Sequence, residues 1–127
     1  MSDFENRYRA TCVVRALAIV ILAAGVSCGG NPSRTSARDQ ATSTSCDWYD
    51  KCGQIGAGKT FADRDSCDVQ VRAFWENAWP TADCDGKISG DQLDVCLSAI
   101  RITECGNGLD VLNTLGNKCP KAKVCGG

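Results

Sequence analysis

Cysteine is the residue type in this chain whose number and spacing point most directly to chemistry. The chain has ten cysteines: Cys12 lies in the N-terminal segment, Cys28 follows an apolar stretch, and the eight downstream are Cys46, Cys52, Cys67, Cys84, Cys96, Cys105, Cys119 and Cys125. An even set of cysteines in a short exported domain is typical of a disulfide framework. We therefore predict that all eight are oxidised in pairs, and the spacing leaves the pairing open.

The N-terminal segment has the order of a secretory signal. Arg7, Arg9 and Arg15 make its start basic, and an uninterrupted apolar run follows at residues 16–25. A helix that crosses a bilayer needs about 20 apolar residues, so this run is too short to span one. It suits the hydrophobic region of a signal peptide, and we predict that residues 1–27 are removed on export.

Cys28 is the predicted membrane anchor. Ser27-Cys28 at the end of the apolar run resembles the cleavage site of bacterial lipoproteins, where the cysteine becomes the acylated N-terminus. We expect attachment to the cell envelope, and Gly29, which is not an aspartate, favours the outer membrane by resemblance to bacterial sorting rules. Gly25 stands where such sites usually carry leucine, so secretion of a soluble protein stays open as the alternative.

Two motifs resemble ligand-binding loops but lack the context that the chemistry requires. Residues 53–60 (GQIGAGKT) match a phosphate-binding loop, yet no buried strand is predicted before them, and residues 61–62 separate them from the next helix. Residues 83–89 resemble the middle of a calcium loop, but Thr81 and Gln92 stand where the outer oxygen ligands are expected. We interpret both motifs as turns and predict no cofactor.

Composition argues against catalysis and against nucleic acid. The chain contains no histidine, so nucleophiles activated by histidine are excluded. Its charges are of mixed sign and form no basic patch. We predict a protein that is not an enzyme and has no nucleic-acid partner.

Phe74, Trp75 and Trp79 form a possible ligand face. All three belong to one predicted helix, and the two tryptophans share a side of it. Because a small domain does not easily bury every large ring, exposed aromatics here would suit a small apolar metabolite or an envelope protein. The alternative interpretation is that these rings fill the core.

Helical signals predict the elements that position these residues. Residues 28–45 combine Cys28 with a polar stretch that lacks apolar periodicity, and we expect a flexible tether. The domain then covers residues 46–127. We predict an all-α fold, a small disulfide-stapled bundle of about four short helices, in which the staples compensate for a small core.

Four helices can be placed from caps and apolar spacing. The first covers residues 46–52, with Ser45 as its cap and Gly53 as its stop. The others are a helix capped by Asp63 that ends at Trp79, a helix capped by Ser89 that ends near Thr103, and a helix over residues 109–115 closed by Gly116. Cys67 and Cys96 lie in apolar helical stripes and should tie those helices to neighbours.

The stretch from Cys46 to Cys125 resembles a family of small, cysteine-rich bacterial proteins that carry the label natural-product-biosynthesis lipoproteins. The resemblance rests on the cysteine spacing and on short words between the cysteines, among them Ile55-Gly56-Ala57-Gly58-Lys59, Arg64-Asp65-Ser66-Cys67, Cys96-Leu97-Ser98-Ala99-Ile100-Arg101 and Cys105-Gly106-Asn107. It implies an envelope accessory or binding protein of unknown molecular role, without assigned catalytic residues. A soluble secreted inhibitor or toxin-like effector is the alternative from another class.

Overall fold

A computed structural model of the chain describes residues 30–106 and 111–126. The predicted signal peptide and the predicted lipidation site Cys28 lie outside the described residues. Within them the chain forms six helices: α1 (Arg34–Lys51), α2 (Arg64–Ala78), α3 (Thr81–Cys84), α4 (Gly90–Arg101), α5 (Val111–Lys118) and α6 (Lys121–Val124). The predicted all-α, disulfide-stapled class is confirmed.

The helix count was predicted too low because two single-turn helices follow prolines. Pro80 stands at the N-cap of α3 and Pro120 at the N-cap of α6, both with extended backbone. Proline is suited to helix starts because its missing N–H is not needed there. Each proline therefore begins a helical turn of its own, which the caps and apolar spacing did not predict.

The prediction of a flexible tether is wrong for residues 34–45, which form the first two-thirds of α1. Ser33, not Ser45, caps this helix, and its hydroxyl accepts a hydrogen bond from the N–H of Ser36 at 3.1 Å. Ala37 and Ala41 are fully buried in the core. Small side chains allow neighbouring helices to approach closely, so this segment packs well without the large apolar residues that a periodicity search detects.

Two basic side chains hold the start of α1 against the end of α2. Arg34 donates to both the backbone carbonyl and the side chain of Glu76, at 3.1 and 3.0 Å. Arg38 donates to the other carboxylate oxygen of Glu76 at 2.6 Å. The hydrogen bond from Arg38, and to a smaller extent the one from Arg34, lowers the pKa of Glu76 below its ordinary value. The segment is therefore fixed by paired charges as well as by packing.

The predicted caps of α2 and α4 are confirmed. The Asp63 carboxylate accepts from the N–H of Ser66 at 2.7 Å, and the Ser66 hydroxyl lies 3.2 Å from the Asp63 N–H, which completes a capping box. The Ser89 hydroxyl accepts from the N–H of Gln92. Both caps satisfy backbone donors that the first helical turn would otherwise leave without partners.

Gly53 ends α1, as predicted. Its φ of +66° is the left-handed conformation that glycine adopts without strain. The N–H of Gly53 bonds to the carbonyl of Asp50, and the N–H of Gln54 bonds to the carbonyl of Tyr49, both at 2.9 Å. This pair of bonds is a Schellman motif, which satisfies the last carbonyls of the helix.

All eight cysteines of the predicted framework are paired. The bonds are Cys46–Cys67, Cys52–Cys105, Cys84–Cys125 and Cys96–Cys119. As expected, Cys67 and Cys96 join their helices to neighbours: the first bond links α2 to α1, and the last links α4 to the residue just after α5. The bonds tie the bundle at several levels of its length.

The prediction that Gly116 closes the fourth helix is wrong. Helix α5 runs from Val111 to Lys118, and Gly116 lies inside it. A Cβ atom at this position would lie 2.8 Å from Cζ of Phe74, closer than carbon atoms normally approach. Glycine is therefore used here for close packing against α2. Residues 109 and 110 of the predicted helix lie outside the described residues.

Helix α1 is antiparallel to α2 and parallel to α4, which gives the bundle two distinct ends. At the end we call the Pro32 end, the start of α1 lies beside Trp79 and Gly90. At the opposite end, the Trp48 end, the Trp48 indole donates to the carbonyl of Thr103 at 2.7 Å. None of the described helices is both long and apolar enough to cross a membrane.

Candidate functional site

The predicted ligand face of α2 is not a surface. Trp75 and Trp79 are fully buried, and their rings stack at a tilt with centroids 4.8 Å apart. The Trp75 indole donates to the Ser45 hydroxyl at 3.2 Å, and the Trp79 indole donates to the Cys119 carbonyl at 3.3 Å. Both polar groups are satisfied internally, so these two rings form the centre of the core.

Phe74, the third ring of the predicted face, also packs inside the domain. Its ring is half-buried, meets Trp75 edge-to-face at 5.0 Å and lies under Gly116 of α5. The prediction assumed that a domain beginning at Cys46 was too small to cover every ring. The helical segment at residues 34–45 adds the missing cover, since it brings Ala37 and Ala41 into the same core.

The Gly53–Thr60 loop is a structural connection between α1 and α2. A phosphate-binding loop lies between a strand and a helix that begins directly after it. This loop instead follows helix α1, and the next helix begins only at Arg64. The loop folds on itself through bonds between Gly56 and Phe61 (N to O, 2.8 Å) and between Phe61 and Gln54 (N to O, 3.1 Å). Phe61 is thereby buried against Tyr49, with ring centroids 4.9 Å apart.

The calcium-like motif is likewise part of the scaffold. Its first two residues are the end of helix α3, so Asp83 lies in a helical turn and not in a metal-binding loop. The Asp83 carboxylate pairs with the Lys121 ammonium of α6, and this hydrogen bond lowers the pKa of Asp83. Gly86 takes the left-handed conformation in the turn that leads to Ser89.

A cleft beside Trp48 is the strongest candidate for a binding site. It has a volume of about 310 Å³ and is lined by Thr44, Asp47, Trp48, Lys51 and Arg101. Helix α1 supplies the first four residues at helical spacing, and the last turn of α4 supplies Arg101. Trp48 is only 3% exposed and its indole is held in place by its bond to Thr103, so it contributes the edge of a fixed ring to the base of the cleft.

The charged side chains around this cleft differ in whether they already form ion pairs. The Asp47 carboxylate already accepts from Arg64 at 2.7 Å, as part of a fork in which Arg64 also bonds to Asp68. Lys51 and Arg101 are exposed and form no ion pair with any residue that the structure describes. The cleft therefore presents two exposed cations above the edge of a buried aromatic ring, an arrangement that suits an anionic group attached to a small apolar body.

Sequence reasoning did not single out Lys51 or Arg101. Each is a basic residue in the last turn of its helix, where a cation is favoured by the helix dipole without any ligand. Only the parallel packing of α1 and α4 brings the two helix ends to one cleft. No motif in the sequence marks either residue as part of a site.

Comparison with known proteins gives a family match. Residues 46–127 match the model of a protein family described as a family of unknown function (DUF6184). A search of the curated proteins found no match, and a search of the solved structures found none either. The match begins at Cys46, within α1, so twelve of the eighteen residues of that helix precede it.

Proposed function

This chain belongs to the family of unknown function DUF6184, and we propose that it is an exported bacterial lipoprotein anchored to the cell envelope through Cys28. The observation that carries the proposal is the pairing of all eight cysteines from Cys46 to Cys125 into four disulfides. Disulfides persist in oxidising compartments outside the cytosol. An oxidised domain behind a basic, apolar N-terminal segment supports export, and Ser27-Cys28 supports acylation.

The proposed role is that of a non-enzymatic accessory or binding protein associated with natural-product biosynthesis, held at the outer membrane. The association rests on the sequence words and cysteine spacing that resemble lipoproteins with that label. Paired cysteines are neither nucleophiles nor metal ligands, and the chain has no histidine. A binding role fits a rigid, stapled scaffold that carries a cleft.

We place the binding activity at the Trp48 cleft. Its proposed ligand is an amphipathic small molecule whose anionic group lies between Lys51 and Arg101 while its apolar part reaches the exposed edge of Trp48 at the base of the cleft. Titration with a medium-chain alkyl carboxylate, followed through the indole N–H resonance of Trp48, tests this site. Lys51→Ala and Arg101→Ala should each weaken binding several-fold.

Lys59→Ala is the matched control, because Lys59 is also an exposed lysine, lies in the neighbouring loop and does not line the cleft. If the Trp48 resonance does not respond, or if all three variants weaken binding to the same degree, the cleft is not the site. An envelope protein that binds elsewhere would then be the remaining partner of the accessory role.

Mass spectrometry of mature protein from its native host tests the lipoprotein proposal. The expected N-terminus is acylated Cys28, and Cys28→Ala should move the protein from the membrane fraction to the soluble fraction. An unmodified N-terminus on protein in the culture medium would overturn the anchor. It would support the soluble secreted inhibitor or toxin-like effector instead.

A further inference from the structure

Resting on the lipid anchor proposed above, we infer that the Pro32 end of the bundle lies directly on the lipid headgroups and that the Trp48 end faces away from the membrane. The lipid surface is thus the partner of one end of the domain. The Trp48 cleft is left open to solutes at the other end.

The chain is held to the domain within three residues of the proposed anchor. A Cβ atom on Gly90 would lie 3.5 Å from Cδ of Pro32, which places the proline in van der Waals contact with the start of α4. The carbonyl oxygen of Asn31's side chain lies 3.5 Å from the N–H of Gly90. Three residues after Asn31, Arg34 is buried and donates to the Trp79 carbonyl at 2.5 Å.

The remaining tether is short in comparison with the domain. Cys28 and Asn31 are separated by three peptide units, which span at most about 11 Å. Helix α1 has 18 residues and, at about 1.5 Å per residue, is roughly 27 Å long. A domain that is longer than its tether cannot move freely above the bilayer, so its attached end stays beside the headgroups.

A groove marks the attached end. Its volume is about 340 Å³, and its lining includes Gly30, Asn31, Pro32, Gly90, Asp91 and Asp94. Gly30 belongs to the short tether itself, so this groove opens where the chain leaves towards Cys28. Its polar rim is compatible with the hydrated headgroup region and not with the hydrocarbon interior.

Native lysines report on the two ends without any substitution. Lys87 and Lys123 lie near the Pro32 end, because the N–H of Ser89 bonds to the Val124 carbonyl at 2.8 Å beside the start of α4. Lys51 and Lys59 lie at the Trp48 end. All four are exposed in the isolated domain, so differences between them on a membrane would come from the membrane.

The test is amine footprinting of the mature acylated protein on vesicles of phosphatidylethanolamine and phosphatidylglycerol. With a membrane-impermeant acylating reagent, Lys87 and Lys123 should react several-fold more slowly on vesicles than in the soluble Cys28→Ala variant. Lys51 and Lys59 should react equally in both. Equal protection of the two ends, or protection of Lys51 and Lys59 alone, would overturn the inference.

Flotation separates this inference from the proposed function. If the mature protein does not float with vesicles, the anchor itself fails; if it floats with all four lysines reactive, only the seating fails. A flexible spacer of about ten Gly and Ser residues before Asn31 adds a reach of roughly 15–20 Å. It should preserve flotation and abolish the protection of Lys87 and Lys123, and protection that persists would show that tether length is not its cause.

Discussion

The guanidinium of Arg34 donates a hydrogen bond through Nε to the backbone carbonyl of Trp79, 2.5 Å away and 45 residues along the chain. Trp79 is the C-cap of α2, where carbonyl groups lack helical partners. One side chain from the first turn of α1 thus completes the end of α2. The same contact places the chain that leads to Cys28 at a defined end of the bundle.

Arg34→Ala should lower the free energy of unfolding by about 1–3 kcal/mol, because it removes the donor from buried carbonyl groups at the end of α2. Denaturant titration of the oxidised protein measures the change. Arg72→Ala is the control, since its side chain is half exposed and its ion pair with Asp39 is long, at 3.8 Å. An equal effect of the two substitutions would show that the Arg34 contact contributes nothing specific.

A chain that begins at Cys46, where the family match begins, should be markedly less stable than one that begins at Gly30. It lacks Ala37 and Ala41, which are buried in the core, and it exposes part of Trp75 and Trp79. Denaturant titration and tryptophan emission compare the two chains directly. Equal stability and equally shielded tryptophans would mean that residues 30–45 are an appendage and not part of the domain.

Cys52–Cys105 should be the first disulfide to be reduced. Cys105 is exposed and Cys52 half-buried, whereas all six other paired cysteines are buried. Exchange requires a thiolate to reach a sulfur atom, so access sets the order. Mild reduction followed by alkylation and peptide mapping should label Cys52 and Cys105 before the others.

Loss of that bond should weaken the domain without unfolding it. The double substitution Cys52→Ser with Cys105→Ser should lower the free energy of unfolding by about 2–4 kcal/mol, because the unfolded chain gains conformational entropy. The fully buried pair Cys46 and Cys67 provides the comparison, since its removal also leaves a defect in the core. Early labelling of Cys46 or Cys67 would contradict the proposed order.

Gly116→Ala should destabilise the domain by about 1–3 kcal/mol, even though alanine is the better helix former, because its Cβ meets Phe74. In a Phe74→Leu background the same substitution should be neutral or stabilising by up to about 1 kcal/mol. A double-mutant cycle by thermal or denaturant unfolding gives the coupling. Equal effects in the two backgrounds would show that the ring does not limit residue 116.

The Tyr49 hydroxyl should ionise at a higher pH than a free tyrosine, and its ionisation should destabilise the folded state. Burial raises the pKa of Tyr49 from the ordinary 10.0 to about 12. A raised pKa in the folded state means that the neutral form is favoured there, so this contribution is complete below pH 10 and is lost as the pH rises towards 12. In a chain that begins at Cys28, Tyr49 is the only tyrosine, so tyrosinate absorbance reports on it alone.

The absorbance is recorded rapidly after mixing, in the folded chain and in denaturant. Tyr49→Phe serves as the control: it should remove the signal and reduce the loss of stability between pH 10 and pH 12. Ionisation of the folded chain at the same pH as the denatured chain would show that the ring is not buried between Trp48 and Phe61.

The sequence by itself determined the features that depend on near neighbours along the chain. Asp63 with Ser66, and Ser89 with Gln92, are caps made within a few residues, and Gly53 ends its helix by local backbone geometry. The even cysteine count predicted complete pairing because it depends on composition and compartment. These features need no knowledge of the rest of the fold.

Only the tertiary structure decided which distant residues meet. Residues 34–45 are polar apart from small alanines, so their helix shows no apolar stripe, and it is stabilised by contacts to α2 and α4 that local pattern does not encode. The cysteine partners depend on helix packing for the same reason. Burial of Trp75 and Trp79, and the meeting of Lys51 with Arg101 beside Trp48, follow from that packing, because burial and proximity belong to the folded surface and not to the order of residues.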